Sequence, residues 1–446
     1  MSEPQDDSEI TEFFMEWARG RLGLDSVDPR TPLTALGLDS VRAAELLTIL
    51  EDRFGIEVSA EDIYGGLCVA DLVEAVARHR EPGADLPGRA AAPSTPSHRI
   101  GGGIEFGLFF FASDAQHSES QRYQLLLDSA RFADTHGFSS IWLPERHFHK
   151  FGGLYPNPAV LAAALATITQ RVRIRAGSVV LPLHNPVRVA EDWSVVDNLS
   201  DGRVDVAFAT GWNPDDFVLA QHNYEARVEV MRSGMQSVQQ LWRGESISLP
   251  NGVGESRSVQ IFPTPIQPDL VTWVTCSGGI ERFEMAGELG ANVLTALLFQ
   301  TVDELADKIT AYRKARARHG HGAEAGRVTV MLHTFVGDDD TSVRRTVHEP
   351  FKSYLADSVD LWRRGAESLD ELDERSRNKV LDFAFERYYR SSGLFGTPDS
   401  ALSMVESLHR AGADEIACLI DFGVAAPTVL DGLRSLATLA DKARSL

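Results

Sequence analysis

Apolar and polar positions follow two rhythms along this chain. From residue 104 onward, short apolar runs alternate with longer segments whose apolar residues recur at helical spacing. The runs at 104–111, 138–142, 172–181, 203–209, 271–275, 291–295, 328–336 and 415–421 predict strands. They are short, rich in β-branched and aromatic residues, and bounded by glycine or polar residues. Helices are predicted over 120–136, 158–169, 187–199, 225–242, 280–289, 302–318, 400–411 and 427–445. Residues 246–263, turning at Asn251-Gly252, read as an inserted hairpin, and 341–390 as a charged helical insertion. Eight strand–helix repeats predict an α/β chain folded as a TIM-type (β/α)8 barrel. The other parallel architecture, a doubly wound open sheet, lacks its Gly-x-Gly-x-x-Gly turn after the first strand.

The first 80 residues have only the helical rhythm. Ile10, Phe13, Phe14 and Trp17 lie on one face of a helix ending near Gly20, and a loop with Asp28-Pro29 and Thr31-Pro32 comes next. Asp39 and Ser40 are natural caps for a helix over 41–51, with Ala43, Leu46, Leu47 and Leu50 apolar. Phe54-Gly55-Ile56 closes it, and helices over 60–64 and 69–80 complete a small all-α four-helix bundle. Residues 81–103 are rich in proline, glycine and small residues with no apolar period, a linker. The expected division is therefore 1–80, 81–103 and 104–446.

The stretch Leu36-Gly37-Leu38-Asp39-Ser40, with Leu46, Leu50-Glu51 and Phe54-Gly55-Ile56 after it, resembles a phosphopantetheine-dependent carrier protein of the acyl or peptidyl type. The resemblance implies that a phosphopantetheinyl transferase attaches 4'-phosphopantetheine to Ser40, whose thiol then holds an acyl or aminoacyl thioester. Without that resemblance Ser40 is a helix cap. The unit contains no lysine, as suits docking on basic partner enzymes. The linker would hold it at high effective concentration beside the C-terminal barrel.

A formal net charge of −21 over 446 residues argues against nucleic acid, whose phosphates demand basic patches. The acidic first ten residues do not read as a signal peptide, and no apolar run is long enough to span a membrane. Cys68, Cys276 and Cys418 stand far apart, as buried thiols do in a reducing compartment, so the expected location is cytoplasmic.

Candidate chemistry collects at predicted strand ends, which face the mouth of such a barrel. After the second strand comes Pro144-Glu145-Arg146-His147-Phe148-His149, running on to Phe151 and Tyr155. Within and after the third lie Gly177-Ser178 and Leu181-Pro182-Leu183-His184-Asn185-Pro186. Small residues there suit either close approach of a flat ligand or tight packing. After the fourth comes Thr210-Gly211-Trp212-Asn213-Pro214, and after the fifth Cys276-Ser277-Gly278-Gly279, an anion cradle at a helix start or simply a helix-capping turn. Glu145, His147, His149 and His184 are metal-ligand types, but their spacing matches no common zinc motif, and no metal is expected.

Gly137-Phe138 leading to Trp142, Glu145-Arg146-His147-Phe148, Val180-Leu181-Pro182, Asn185-Pro186, Ala190-Glu191-Asp192, Leu199-Ser200-Asp201-Gly202-Arg203 and Gly211-Trp212 together resemble the luciferase-like flavin monooxygenases over 104–446. The wording is most similar to the subgroup serving polyketide and nonribosomal peptide assembly lines, the makers of antibiotic-type products. The resemblance implies reduced FMN from a separate flavin reductase, O2 as co-substrate, assembly-line adenylation or acyltransferase partners, and a homodimer. It places the flavin ring over Gly177-Ser178, flanked by Thr210 and Trp212, with its phosphate on Ser277, Gly278 and Gly279. Asn185 and Glu191 would tie a helix to the barrel. Bacterial luciferases carry two histidines where this chain has Arg146-His147, and the first is the catalytic imidazole there. Arg146 stays protonated and suits an anionic partner, while His147 is the acid–base candidate, with His149 and His184 behind it. A deazaflavin-dependent dehydrogenase shares the barrel, and a non-catalytic carrier and docking module is the reading from another class.

Overall fold

A computed structural model describes residues 103–111, 122–298, 300–357 and 374–446. Of the N-terminal region it describes 6–22, 24, 26–31, 33–36, 46, 49–50, 53 and 68–72. Ser40, most of the predicted helix around it and the linker up to residue 102 lie outside the described residues. Contacts group the chain into two compact units, Met1–Thr95 with Phe351–Ser391, and Pro96–Pro350 with Ser392–Leu446.

The N-terminal helix α1 is Asp6–Leu22. The barrel begins with β1 (Glu105–Phe109), α2 (Gln124–Thr135), β2 (Ser140–Leu143), α3 (Pro158–Ala166), β3 (Arg173–Val180), α4 (Pro186–Ser200) and β4 (Val204–Ala209). Helix α5 (Arg227–Trp242) leads to the predicted hairpin, β5 (Ile247–Pro250) paired antiparallel with β6 (Ser256–Val259). Next come β7 (Thr272–Thr275), α6 (Ile280–Glu288), β8 (Asn292–Ala296), α7 (Val302–Arg318) and β9 (Val328–Val336). The insertion holds α8 (Asp340–Asp357) and α9 (Glu374–Arg387). A short β10 (Leu394–Gly396), α10 (Pro398–Ala411), β11 (Glu415–Leu419) and α11 (Ala426–Ala443) complete the chain. Eight parallel strands close in the order β1-β2-β3-β4-β7-β8-β9-β11, with β11 returning to β1 and β10 added outside the ring on β9. The predicted barrel is therefore the fold, and its eight strands are the eight read from the sequence.

Local chemistry starts and stops the helices. Asn157 accepts from the N–H groups of Ala159 and Val160 at 2.9 and 3.3 Å and Pro158 opens α3; Asn185 accepts from Val187 at 2.9 Å and Pro186 opens α4. Thr301 and Glu304 form a reciprocal capping box on α7, as Thr397 and Ser400 do on α10. Asp201, at φ +57°, ends α4 in the left-handed conformation.

The floor of the barrel is an ion cluster built from strand starts. Buried Arg175 donates from Nε to Asp205 Oδ2 at 2.7 Å and from Nη1 to Glu415 Oε2 at 2.5 Å. Thr329 and Ser139 donate to Glu415 at 3.0 and 2.8 Å, Ser140 donates to the same carboxylate, and Arg173 donates to Asp205 at 2.7 Å. The Arg175 guanidinium lies 4.9 Å from the Trp142 ring centre and 4.5 Å from that of Trp273. Burial alone would raise the Glu415 pKa, but Arg175 and the hydroxyl donors hold it below the ordinary value.

Above this floor, a Cβ on Gly177 would stand 2.9 Å from Phe109 Cε2 and 3.0 Å from Trp142 Cε3. The barrel interior thus supplies a packing reason for this glycine. Gly177→Ala is expected to cost about 1–3 kcal/mol through overpacking, read as a lower denaturation midpoint with unchanged slope.

In the other unit, Phe14, Trp17 and Ala18 of α1 share a core with Leu33, Leu46, Leu50, Val69, Leu72 and Phe383. The cysteines are free and buried, and among the described residues no helix is long and apolar enough to cross a membrane.

Candidate active site

Strand β2 delivers the loop 144–156 to the barrel mouth, where tyrosine and backbone hydrogen bonds hold it. Arg146 N–H donates to the Tyr155 carbonyl at 3.0 Å, Tyr123 Oη to the Leu154 carbonyl at 2.9 Å, and Tyr155 Oη to Asp421 Oδ2 at 3.0 Å. Asp421, just past β11, also accepts from Phe111 N–H at 2.7 Å, just past β1. Burial, together with the Asp421 charge, pushes the Tyr155 phenol well above its usual range, so it stays a neutral donor. Phe148, at φ +53° and 66% exposed, is a strained aromatic at the outer part of this loop.

Glu145 is the hub. Its Oε1 accepts from His147 Nε2 at 2.8 Å and His184 Nε2 at 2.6 Å, and its Oε2 accepts from Val180 N–H at 2.8 Å. Burial would raise its pKa, but the two imidazole hydrogen bonds outweigh that and hold it down. Burial pulls His184 toward the neutral form, yet the bond to Glu145 wins and its pKa is raised. Ligand atoms of Glu145, His147 and His184 all lie within 4.8 Å of one another. His149 stands apart from this hub: it is exposed, and its Nδ1 accepts from Phe151 N–H at 3.0 Å.

The raised His184 pKa makes stability depend on pH. The contribution of this group is fully present below the unfolded value of about 6.5 and is lost as pH rises through the folded value. Glu145→Gln is expected to remove that pH dependence, to return the His184 titration downward in an NMR titration, and to cost about 1.5–3 kcal/mol.

Arg146, also buried, places its guanidinium 4.8 Å from the centre of the exposed Trp212 ring. Next to them Asp216 accepts from Asn213 Nδ2 at 2.9 Å, and burial raises its pKa against the pull of Arg146 and His147. Thr210 is half-buried at the end of β4. On the neighbouring strand Gly177–Ser178 is a cis peptide, and the Ser178 hydroxyl bonds that of Thr275. Thr275 leads into Ser277, Gly278 and Gly279, all exposed, at the start of α6. Gly279 caps α6 without any side-chain hydrogen bond, and a Cβ on Gly278 would meet nothing closer than Arg282 Cγ at 3.8 Å. These N–H groups and the Ser277 hydroxyl are the donors a phosphate takes, and the Glu281 carboxylate, which lies against Gly279, would have to turn away to admit one.

The structure thus brings Arg146 and Trp212 together, His147 to Glu145, and Ser178 to the strand that carries the Ser277 cradle. Asn185 caps α4. Glu191 does not tie that helix to the barrel: its carboxylate lies 3.5 Å from Arg188 in an exposed pair on the same helix. Asp216, Asp421 and the hub role of Glu145 were not read from the sequence. The only signal for them was the density of ionisable residues beside aromatic ones.

The cluster lies at the strand ends of a closed parallel barrel, the place where TIM barrels carry their functional groups. The profile of the luciferase-like monooxygenases matches residues 104–415, and the chain belongs to that family. The profile of the phosphopantetheine attachment site matches residues 15–76. The chain is similar to the oxygenase component of the flavin-dependent trigonelline monooxygenase of Acinetobacter baylyi, 24% identical over 334 residues, covering 72% of this chain and 90% of the relative. It shares its fold with the oxygenating constituent of 3,6-diketocamphane monooxygenase of Pseudomonas putida, solved in complex with FMN. That match has a TM-score of 0.61 at 19% identity and covers 77% of this chain and 98% of the other. An F420-dependent secondary alcohol dehydrogenase matches with a TM-score of 0.58 at 13% identity, over 76% of this chain and 99% of the other.

Proposed function

We propose that this chain is an FMN-dependent monooxygenase that oxygenates an acyl or aminoacyl group held as a thioester on a phosphopantetheine arm, in the assembly of a natural product. The observation that carries this reading is the pairing, in one chain, of a luciferase-like monooxygenase barrel with a phosphopantetheine attachment domain. Ser277, Gly278 and Gly279 would hold the phosphate of FMN, and Gly177, Ser178, Thr210 and Trp212 its ring. Bound and reduced, FMN supplies the activation of O2.

The protein's own groups orient and protect. Arg146 keeps a permanent positive charge against Trp212 and pairs with an anionic group of cofactor or substrate. His147 gives Nε2 to Glu145, which leaves Nδ1 as the atom that holds or passes a proton. A flavin reductase and a phosphopantetheinyl transferase are the required partners, with adenylation or acyltransferase enzymes upstream. A homodimer is part of the same reading, and light scattering checks it. The likeness to the F420-dependent dehydrogenase supports a second reading, hydride transfer with a deazaflavin. Anaerobic reduction followed by O2 separates the two. O2 uptake matched to product with reduced FMN is the expected result, and turnover with reduced deazaflavin but no O2 uptake would overturn it.

A further inference from the structure

The insertion helix α9 is apolar on opposite sides. Val380, Leu381, Phe383, Ala384 and Phe385 are all buried, although the segment is otherwise charged. Phe383 and Phe385 point about 200° apart around a helix. Phe385 faces the insertion itself, with its ring 6.3 Å from Phe351 of α8; Phe351 in turn packs edge-on to Tyr388 at 5.5 Å, and Lys352 pairs with Asp382 at 2.5 Å. Phe383, 1% exposed, enters a different core. Every other buried member of that core, among the described residues, lies between Phe14 and Leu72, and all but Phe14 fall within the stretch 15–76 that matches the phosphopantetheine attachment profile. A helix buried on both sides is a helix packed between two partners.

We infer that α9 is a docking element for the chain's own carrier domain, with Phe383 as the plug that completes the carrier's core. A helical unit of some 80 residues builds only a small core, so one more buried aromatic ring is a large share of its apolar contact. The carrier is therefore a module seated on a helix supplied about 300 residues later in the chain, in addition to being tethered by its linker.

The test is hydrogen exchange on the full chain, comparing Phe383→Ala with Phe385→Ala. Phe383→Ala is expected to speed exchange in α1 and in residues 68–72 by about a hundredfold, leaving the barrel strands unchanged. Phe385→Ala should act mainly on α8 and α9. Unchanged α1 exchange in Phe383→Ala, or the same pattern from both variants, would overturn the inference. Should Phe383→Ala not fold, Phe383→Leu combined with Phe14→Leu gives a second reading. Non-additive midpoints support the plug, and additive ones sink it. Neither readout depends on turnover, so a chain that shows the plug but no oxygenation contradicts the proposed activity and not the docking.

Discussion

Arg175→Met is expected to destabilise the barrel by about 3–5 kcal/mol, the cost of breaking a buried ion pair from one side. The substitution keeps most of the apolar contact with Trp142 and Trp273 but leaves Asp205 and Glu415 without their shared cation. Arg173 still reaches Asp205, so Glu415 carries most of the penalty. Arg175→Met with Glu415→Gln should therefore cost much less than the two separate losses added. Chemical denaturation with an unchanged slope reads both. A single variant within about 0.5 kcal/mol of the parent would show that the cluster does not hold the floor.

Ser40→Ala is expected to abolish phosphopantetheine attachment altogether and, with it, turnover of any substrate delivered on the chain's own arm. The hydroxyl is the only atom of that residue to which the arm can be joined, so no partial effect is expected. The substitution removes at most a helix cap, worth about 0.5–2 kcal/mol, and the barrel strands should melt as before. Intact-protein mass spectrometry after incubation with a phosphopantetheinyl transferase gives the answer directly. A mass increase in Ser40→Ala equal to that of the parent would place the attachment elsewhere.

Strands and helices were legible in the sequence because each carries its own local signal. The runs that begin at Pro158 and just after Pro186 read as helices and start there, the Thr397-Pro398 start was placed two residues late, and β-branched runs such as 328–336 announce buried parallel strands. Contacts between remote residues left no such signal. Arg175 and Glu415 are 240 residues apart, and Tyr155 and Asp421 are 266 apart. No local spacing links partners so far apart along the chain. Glu145 was visible as one of a cluster, but its pairing with His184 depends on β3 lying beside β2. The insertion looked charged because its charges outnumber its apolar residues, and the two-sided pattern around Phe383 and Phe385 gains meaning only once the N-terminal core is in view.

The most direct test of the central claim is intact-protein mass spectrometry of the full chain. Ser40 is first loaded with an acyl- or aminoacyl-phosphopantetheine, and reduced FMN and O2 are then supplied. The account predicts a gain of one oxygen atom on the arm that requires both FMN and O2. A loaded arm that keeps its mass while reduced FMN binds and is reoxidised, across a panel of acyl and aminoacyl groups, would contradict it.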